Sequence, residues 1–286
     1  MQRTPLTGAG HTHPVYNISI VGTQNAHNIL SVSTDGVVCG WTVDMLSQPQ
    51  EYLELTTPPP SRTEDLAPTA MSFPQPDPTF FVVGTEEGSI YPCHRYDRAG
   101  SKAGVDQRLA YRGHDAPVMS TSFHPARGPV DLGDLLLSSS LDWTVRLWRV
   151  RQPATTTSTT STSSTVSPIL EINREDVVYD ARWSPTRPGV FALVDGGGHV
   201  EVWDLHTDTE IPAARASPSS GQGLTKSLNK LAWEEREGKR LATGGLDGVV
   251  TVFEVGKGLG GSIDEIPADE WMGMKRLVAG LEQKDR

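Results

Sequence analysis

The chain repeats itself about every fifty residues, and that period limits the fold more than any other feature of the sequence. Five runs close on an aromatic residue or, once, a cysteine. They are TDGVVCGW at Trp41, EEGSIYPC at Cys93, LDWTVRLW at Trp148, GGHVEVW at Trp203 and LDGVVTVF at Phe253, spaced 52, 55, 55 and 50 residues apart. Asp35, Asp142 and Asp247 stand six positions before the closing residue in three of them, and Glu87 and Gly197 stand there in the other two. A unit of this length is one piece of supersecondary structure that buries its apolar faces only by stacking on its neighbours.

Within each unit the grammar is that of a β-hairpin. An apolar run ends in small or hydroxyl residues (ILSVST, FFVVGT, LLLSSS, VFALVD, RLATGG), a short turn follows, and then an alternating strand. Period-two alternation around glycine-bearing turns predicts paired antiparallel strands. Upstream of each hairpin lies a further β-rich run: VYNISIV (15–21), PTAMSFP (68–74), PVMSTSFHP (117–125), VVYDARWSP (177–185) and LNKLAW (228–233). Gly10-His11 and Gly113-His114 precede two of these runs. Gly-His, a hairpin, an Asp in its turn and a closing Trp resemble the WD40 repeat, a four-stranded propeller blade. The resemblance implies an all-β propeller over residues 11–264, and inside its blades a hydrogen-bonded network of His, Ser or Thr, Asp and Trp. The positions that match are His114, Ser138, Asp142 and Trp148 in the third unit and His11, Ser31, Asp35 and Trp41 in the first. Trp203, Asp247 and Phe253 are what remains of that set in the last two units.

The spacing exceeds the ~40–45 residues usual for such a repeat, and polar tracts account for the excess. TTPPPSRTEDLAP (56–68), PATTTSTTSTSSTVSP (153–168) and IPAARASPSSGQG (211–223) carry little that a core can bury, so they are expected to stay mobile between the third strand of a blade and its outer strand. The Ser/Thr tract reads as a passive loop, with phosphorylation as the alternative. At the end of the chain, Trp271, Met274, Leu277, Val278 and Leu281 recur at helical spacing after Pro267, which predicts an amphipathic helix over 265–286. That helix is expected to pack on the last blade, with contact to a partner as the other reading. Five blades are few for this repeat. Residues 1–10 read as the stub of a preceding blade and the whole as the later part of a larger ring, and a closed five-bladed ring is the alternative.

Charge and composition narrow the function. The net charge of −10 gives no basic footprint for a phosphate backbone or an anionic membrane. No run of 18 apolar residues suggests a membrane span, and MQRTPLTGAGHTH has no apolar core of a secretory signal. Cys39 and Cys93 lie in apolar strands without metal-ligand spacing and read as buried reduced thiols.

A more specific likeness starts at GTQNAHN (22–28), which falls where a hairpin turn is expected and contains more than a turn needs. GHTHPVY, VGTQNAHN, STDG and DMLSQPQE (44–51) follow one another in an order that resembles the intermediate-chain family of cytoplasmic dynein. FVVGTEEGSIY (81–91), GSKAG (100–104), GHDAPV (113–118), SSLDWTVRLW (139–148), VVYDARWSP, VWDLHTDTEIP (202–212) and DEWMGMKRLV (269–278) continue it, whereas the insert at 153–168 is not part of that pattern. The resemblance implies a non-catalytic subunit without cofactor, located in the cytoplasm on microtubule-associated dynein. Its propeller would grip a helical segment of the dynein heavy-chain tail and so support transport of cargo. In that family the region before the propeller binds light chains and dynactin, and no such binding is expected of this chain by itself. The alternative is a WD40 scaffold in another assembly, such as an axonemal or intraflagellar dynein.

Catalytic constellations are weak. Ser138, His114 and Asp142 have the residue types of a hydrolase triad but no nucleophile elbow, and the blade network already employs them. His11 and His13 lack further ligands for a metal, and Gly196–Gly198 lacks the Lys-Ser/Thr of a phosphate loop. The better candidates are for binding. Trp143 directly follows Asp142 in a turn where folding asks for no large aromatic, so it is a candidate anchor of a partner, with packing over a neighbouring blade as the other reading, and Leu141, Leu246, Glu86 and Glu87 lie in similar turns.

Overall fold

In the computed structural model each repeat unit is an antiparallel sheet, one propeller blade, and the five blades follow one another in chain order. Residues 10–23, 26–58, 66–75, 77–97, 102–150, 164–218 and 226–284 are described. The first blade has strands Val15–Thr23, Ala26–Ser33, Val37–Thr42 and Glu51–Glu54. The third has Val118–Phe123, Leu135–Ser140, Thr144–Arg149 and Leu170–Asn173. The fourth has Val178–Trp183, Val190–Asp195, Val200–Asp204 and Ala214–Ala216. In the second, Pro68–Ser72, Phe80–Thr85 and Ile90–His94 are followed by two short strands, Gly104–Val105 and Leu109–Tyr111, that both pair with Ile90–His94. The fifth has three strands, Leu228–Trp233, Arg240–Gly245 and Val250–Glu254.

The chain forms two compact units, the first made of residues 1–118 with 153–167 and the second of 119–152 with 168–286. In the first, Leu30, Val32 and Val38 of one blade pack with Met71, Phe81, Val83 and Tyr91 of the next. In the second, the fourth blade is covered on both faces. Phe191, Leu193 and Trp203 join Leu135, Leu137 and Leu147 of the third blade, while Val190, Ala192, Val194, Val200 and Val202 join Leu228, Leu231 and Leu241 of the fifth. Neighbouring residues of one strand therefore enter opposite cores. This is why VFALV and LLL are unbroken apolar runs and not alternating ones.

Four expectations about the connecting segments need correcting. The ladder between the first two strands runs on to Gly22↔His27 and Thr23↔Ala26, so most of GTQNAHN is strand and only residues 24–25, outside the described residues, connect. The tract 56–68 follows the outer strand of the first blade, Glu51–Glu54, and does not precede it. Within 211–223, Ala214–Ala216 is itself an outer strand, paired as Val200↔Ala216 and Val202↔Ala214. Within 153–168, Ser164–Val166 is a strand that pairs in parallel with Leu109–Tyr111, tied by Ser164 N–H to the Arg108 carbonyl (2.8 Å) and Arg112 N–H to the Val166 carbonyl (3.2 Å). In the last two cases backbone hydrogen bonds at a sheet edge supply what the side chains do not. Residues 153–163 of that tract lie outside the described residues, as do residues 1–9 of the expected stub 1–10.

The terminal helix, α1, spans Ala268–Lys284 and follows a short 3-10 turn, Ile263–Glu265. It packs on the third and fourth blades, not on the last. Trp271, Met274 and Val278, one face at spacings of three and four, sit in the core with Leu132, Leu147 and Phe191. The Trp271 ring lies where a Cβ on Gly128 would be, 2.4 Å from three of its atoms, so only glycine admits it. Arg187 Nη1 donates to both oxygens of Glu270 (2.9 and 3.0 Å) and Arg149 Nη1 to Glu282 Oε2 (3.1 Å).

Two histidines brace this dock with opposite pH dependence. His206 Nε2 donates to the Glu270 carbonyl (2.8 Å) and its Nδ1 faces Asp204 Oδ1 (3.4 Å); the hydrogen bond to Asp204, above all, raises its pKa. His124 is buried edge-on to Trp183 and Trp271, and desolvation drives its pKa down to about 4. Stabilisation by His206 is complete below the unfolded value of about 6.5 and is lost as pH rises through the higher folded value. Stabilisation by neutral His124 is complete above about 6.5 and is lost on acidification towards 4, by roughly 3 kcal/mol. Thermal melts between pH 4 and 8 should fall away on both sides of about 6.5. In His206→Gln the alkaline fall should disappear and the acid fall remain, and an unchanged alkaline limb would refute the role of His206.

Candidate functional site

The turns between the second and third strands share one backbone plan. Gly36 N–H donates to the Ser33 carbonyl (3.2 Å), Gly88 to Thr85 (3.2 Å), Gly198 to Asp195 (3.3 Å) and Gly248 to Gly245 (3.1 Å). The donating glycines have φ of 78°, 82°, 81° and 73°. This is a type I turn closed by a left-handed residue, a position suited to glycine. Aspartate fixes the turn from its side chain: Asp35 Oδ1 accepts from Val37 N–H (3.1 Å), Asp142 Oδ1 from Thr144 N–H (3.0 Å) and Asp247 Oδ1 from Val249 N–H (3.0 Å).

In the third blade the left-handed residue is Trp143, with φ of 69°. A side chain there costs about 1–2 kcal/mol relative to an unstrained backbone. Trp143 does not recover this by burial, since it is 50% exposed. Its carbonyl accepts from Arg174 N–H (2.7 Å), which pins the turn and leaves the indole outside. In the same unit Leu246, at the tip of the fifth blade's turn, is 75% exposed, and Leu141 is partly buried. Glu86 and Glu87 are exposed on the second blade's turn. Trp143 and Leu246 are thus apolar points held out from the sheet by tight turns.

Beneath the turns lie the polar networks of the blades. In the first, Trp41 Nε1 donates to Ser31 Oγ (2.8 Å), Ser31 Oγ meets His11 Nε2 (2.7 Å), and His11 Nδ1 meets both Asp35 oxygens (3.3 Å). With the proton on Nδ1, every link has one donor and one acceptor. Burial works against the Asp35 carboxylate, but the N–H groups of Thr12 and Val37 together with His11 hold its pKa below the ordinary value. In the third blade Trp148 Nε1 donates to Ser138 Oγ (2.7 Å), and His114, Ser138 and Trp148 are buried.

The fourth blade departs from this pattern in a way the sequence reading missed. Trp203 Nε1 donates to Glu201 Oε2 (3.1 Å), and the other carboxylate oxygen receives Arg174 Nη2 (2.7 Å). Arg215 Nε adds an ion pair to that same oxygen at 3.4 Å, and Arg174 stacks over the Trp203 ring at 5.2 Å. Glu201 is fully buried, so its charge is tolerable only because both guanidinium groups meet it. The signal was a glutamate amid the apolar run VEVW. In the fifth blade Asp247 is exposed and Phe253 is partly buried at the margin of the core.

These polar residues hold each other, so they offer no free nucleophile or ligand set. Among the described residues no three His, Cys, Asp or Glu side chains converge as metal ligands. Cys39 and Cys93 are buried and unpaired, and burial raises both thiol pKa values, that of Cys39 to about 11. No described helix is long and apolar enough to cross a membrane.

Comparisons with known proteins agree with this architecture. The profile of the family described as "WD domain, G-beta repeat" matches residues 106–149, which include the first three strands of the third blade. The chain is 37% identical over 271 residues, 95% of its length, to the cytoplasmic dynein 1 intermediate chain of Drosophila melanogaster. That match takes in 36% of the relative, so the chain spans about a third of the length of the curated protein it resembles.

Proposed function

Because the chain is a WD40-repeat β-propeller protein homologous to dynein intermediate chains, we propose that it serves as a non-catalytic subunit of a cytoplasmic dynein complex, binding the heavy-chain tail and supporting microtubule-based transport. The likeness along 95% of the chain carries this reading. Trp143 supplies its point of contact. A half-exposed indole at a position that four sister turns give to glycine is backbone strain retained without a packing return, and such strain gathers at functional positions. Trp is also the side chain most often found as an interface anchor. Leu246 is a further exposed apolar side chain on a turn of the same unit; in the other unit, Glu86 and Glu87 are exposed acids suited by themselves to a basic stretch of partner, where charge aids specificity and approach rate. Catalysis has no part in this proposal, and the complex would reside in the cytoplasm on microtubules.

The test is recovery of the complex. A C-terminal tag at the native locus, gentle purification and mass spectrometry should yield dynein heavy chain together with this protein. A soluble, folded product that brings down no heavy chain would overturn the assignment.

A further inference from the structure

The outer strand of the fourth blade, Ala214–Ala216, is exposed at all three residues, and its alanines have little to bury. Arg215, opposite Glu201, makes the polar side-chain contacts of this strand. Its Nη1 and Nη2 both donate to Glu175 Oε2 (3.1 Å each), Nη2 also meets His199 Nδ1 (3.1 Å), and Nε stands 3.4 Å from Glu201 Oε1. The two edges of the guanidinium therefore do different work. The Nε edge serves the buried Glu201. The terminal nitrogens serve Glu175, whose side chain is 72% exposed, and a surface ion pair of that kind contributes little. Those two nitrogens are open to a stronger acceptor.

Ser217 stands where such an acceptor could be made. The register that sets Arg215 opposite Glu201 and Ala216 opposite Val200, carried one step on, sets Ser217 opposite His199. Continued alternation puts Ser217 on the same face as Arg215, two residues back. Ser217 is partly exposed, and its hydroxyl has no hydrogen-bond partner among the described residues. Pro218 follows it and keeps it in extended backbone, the form in which a chain lies in an enzyme cleft.

We propose that Ser217 is a phosphorylation site and that Arg215 receives the phosphate. The donor is ATP on a protein kinase that accepts proline after the serine. Ser217 Oγ bonds to the γ-phosphorus as the bond from that phosphorus to the bridging oxygen breaks; the hydroxyl proton passes to the kinase's base, and ADP leaves. The phosphate brings nearly two negative charges and three acceptor oxygens. A guanidinium binds it through two parallel charge-assisted hydrogen bonds, so it displaces the exposed Glu175 carboxylate from Nη1 and Nη2. The Nε edge stays with Glu201, which also keeps Arg174 (2.7 Å) and the Trp203 N–H (3.1 Å). His199, with Asp195 Oδ2 at 3.2 Å from its Nδ1, offers a further donor across the ladder. Phosphorylation thus fastens an outer strand that backbone pairing alone defines.

Incubating the purified chain with ATP, magnesium and a proline-directed Ser/Thr kinase, then mapping peptides by mass spectrometry, tests the site. Phosphate should appear on Ser217 and not on Ser184, where the same Ser-Pro dipeptide is fully buried. Hydrogen exchange tests the acceptor. Peptides covering 214–216 should exchange about tenfold more slowly in the phosphorylated chain than in the unmodified one. Glu175→Gln removes the competing carboxylate and should keep this gain. Arg215→Lys leaves a cation beside Glu201 but lacks the paired terminal nitrogens, and should lose most of the gain after phosphorylation. An unmodified Ser217, a gain that Arg215→Lys leaves intact, or one that Glu175→Gln abolishes would overturn the proposal.

Discussion

Cutting Trp271 back to alanine should lower the unfolding free energy of the second unit by about 3–5 kcal/mol, the range for removing a large aromatic from a packed core. The indole is 1% exposed. It closes over Gly128, meets His124 edge-on at 5.9 Å, and shares a core with both the third and the fourth blade. Little can collapse into the space it leaves, since a helix and two sheets line it. Urea unfolding followed by circular dichroism would give the value. A loss under about 1 kcal/mol would show that the helix is an appendage and not a clamp.

Trp143→Gly should do two things at once. The left-handed turn, φ of 69°, would be relieved, so stability should rise by about 1 kcal/mol. Affinity for the heavy-chain tail should fall by about 2 kcal/mol, roughly thirtyfold, as for the loss of an aromatic anchor. Trp143→Ala separates the two effects, because it removes the anchor and keeps the strain. Both variants should bind weakly, and only glycine should melt higher. Unchanged affinity with an intact fold would remove Trp143 from the interface, and a drop in stability with glycine would mean that the indole packs after all.

The hairpins were legible because their two signals, apolar runs and glycine turns, are written in local sequence. The network of His11, Ser31, Asp35 and Trp41 was an implication of the WD40 resemblance, and its hydrogen-bond directions needed coordinates. The outer strands were not legible. Ala214–Ala216 and Ser164–Val166 have little or nothing apolar to bury, and backbone pairing alone defines them. The Glu201 network was missed because an acid in an apolar run has no partner in local sequence. Arg174 and Arg215 lie 27 and 14 residues away along the chain. Trp143 was singled out for its size. The stronger argument lay one step further, in aligning Asp142-Trp143 with Asp35-Gly36 and Asp247-Gly248.

The short parallel strand Ser164–Val166 also bears on how this polypeptide is divided. It belongs to the first unit, while the chain on either side, 119–152 and 168–286, belongs to the second. A single cut after residue 118 would therefore leave the second piece carrying a strand of the first and the first piece without it. Two units that look consecutive are interleaved in the chain, and neither can be excised whole as one uninterrupted stretch of sequence.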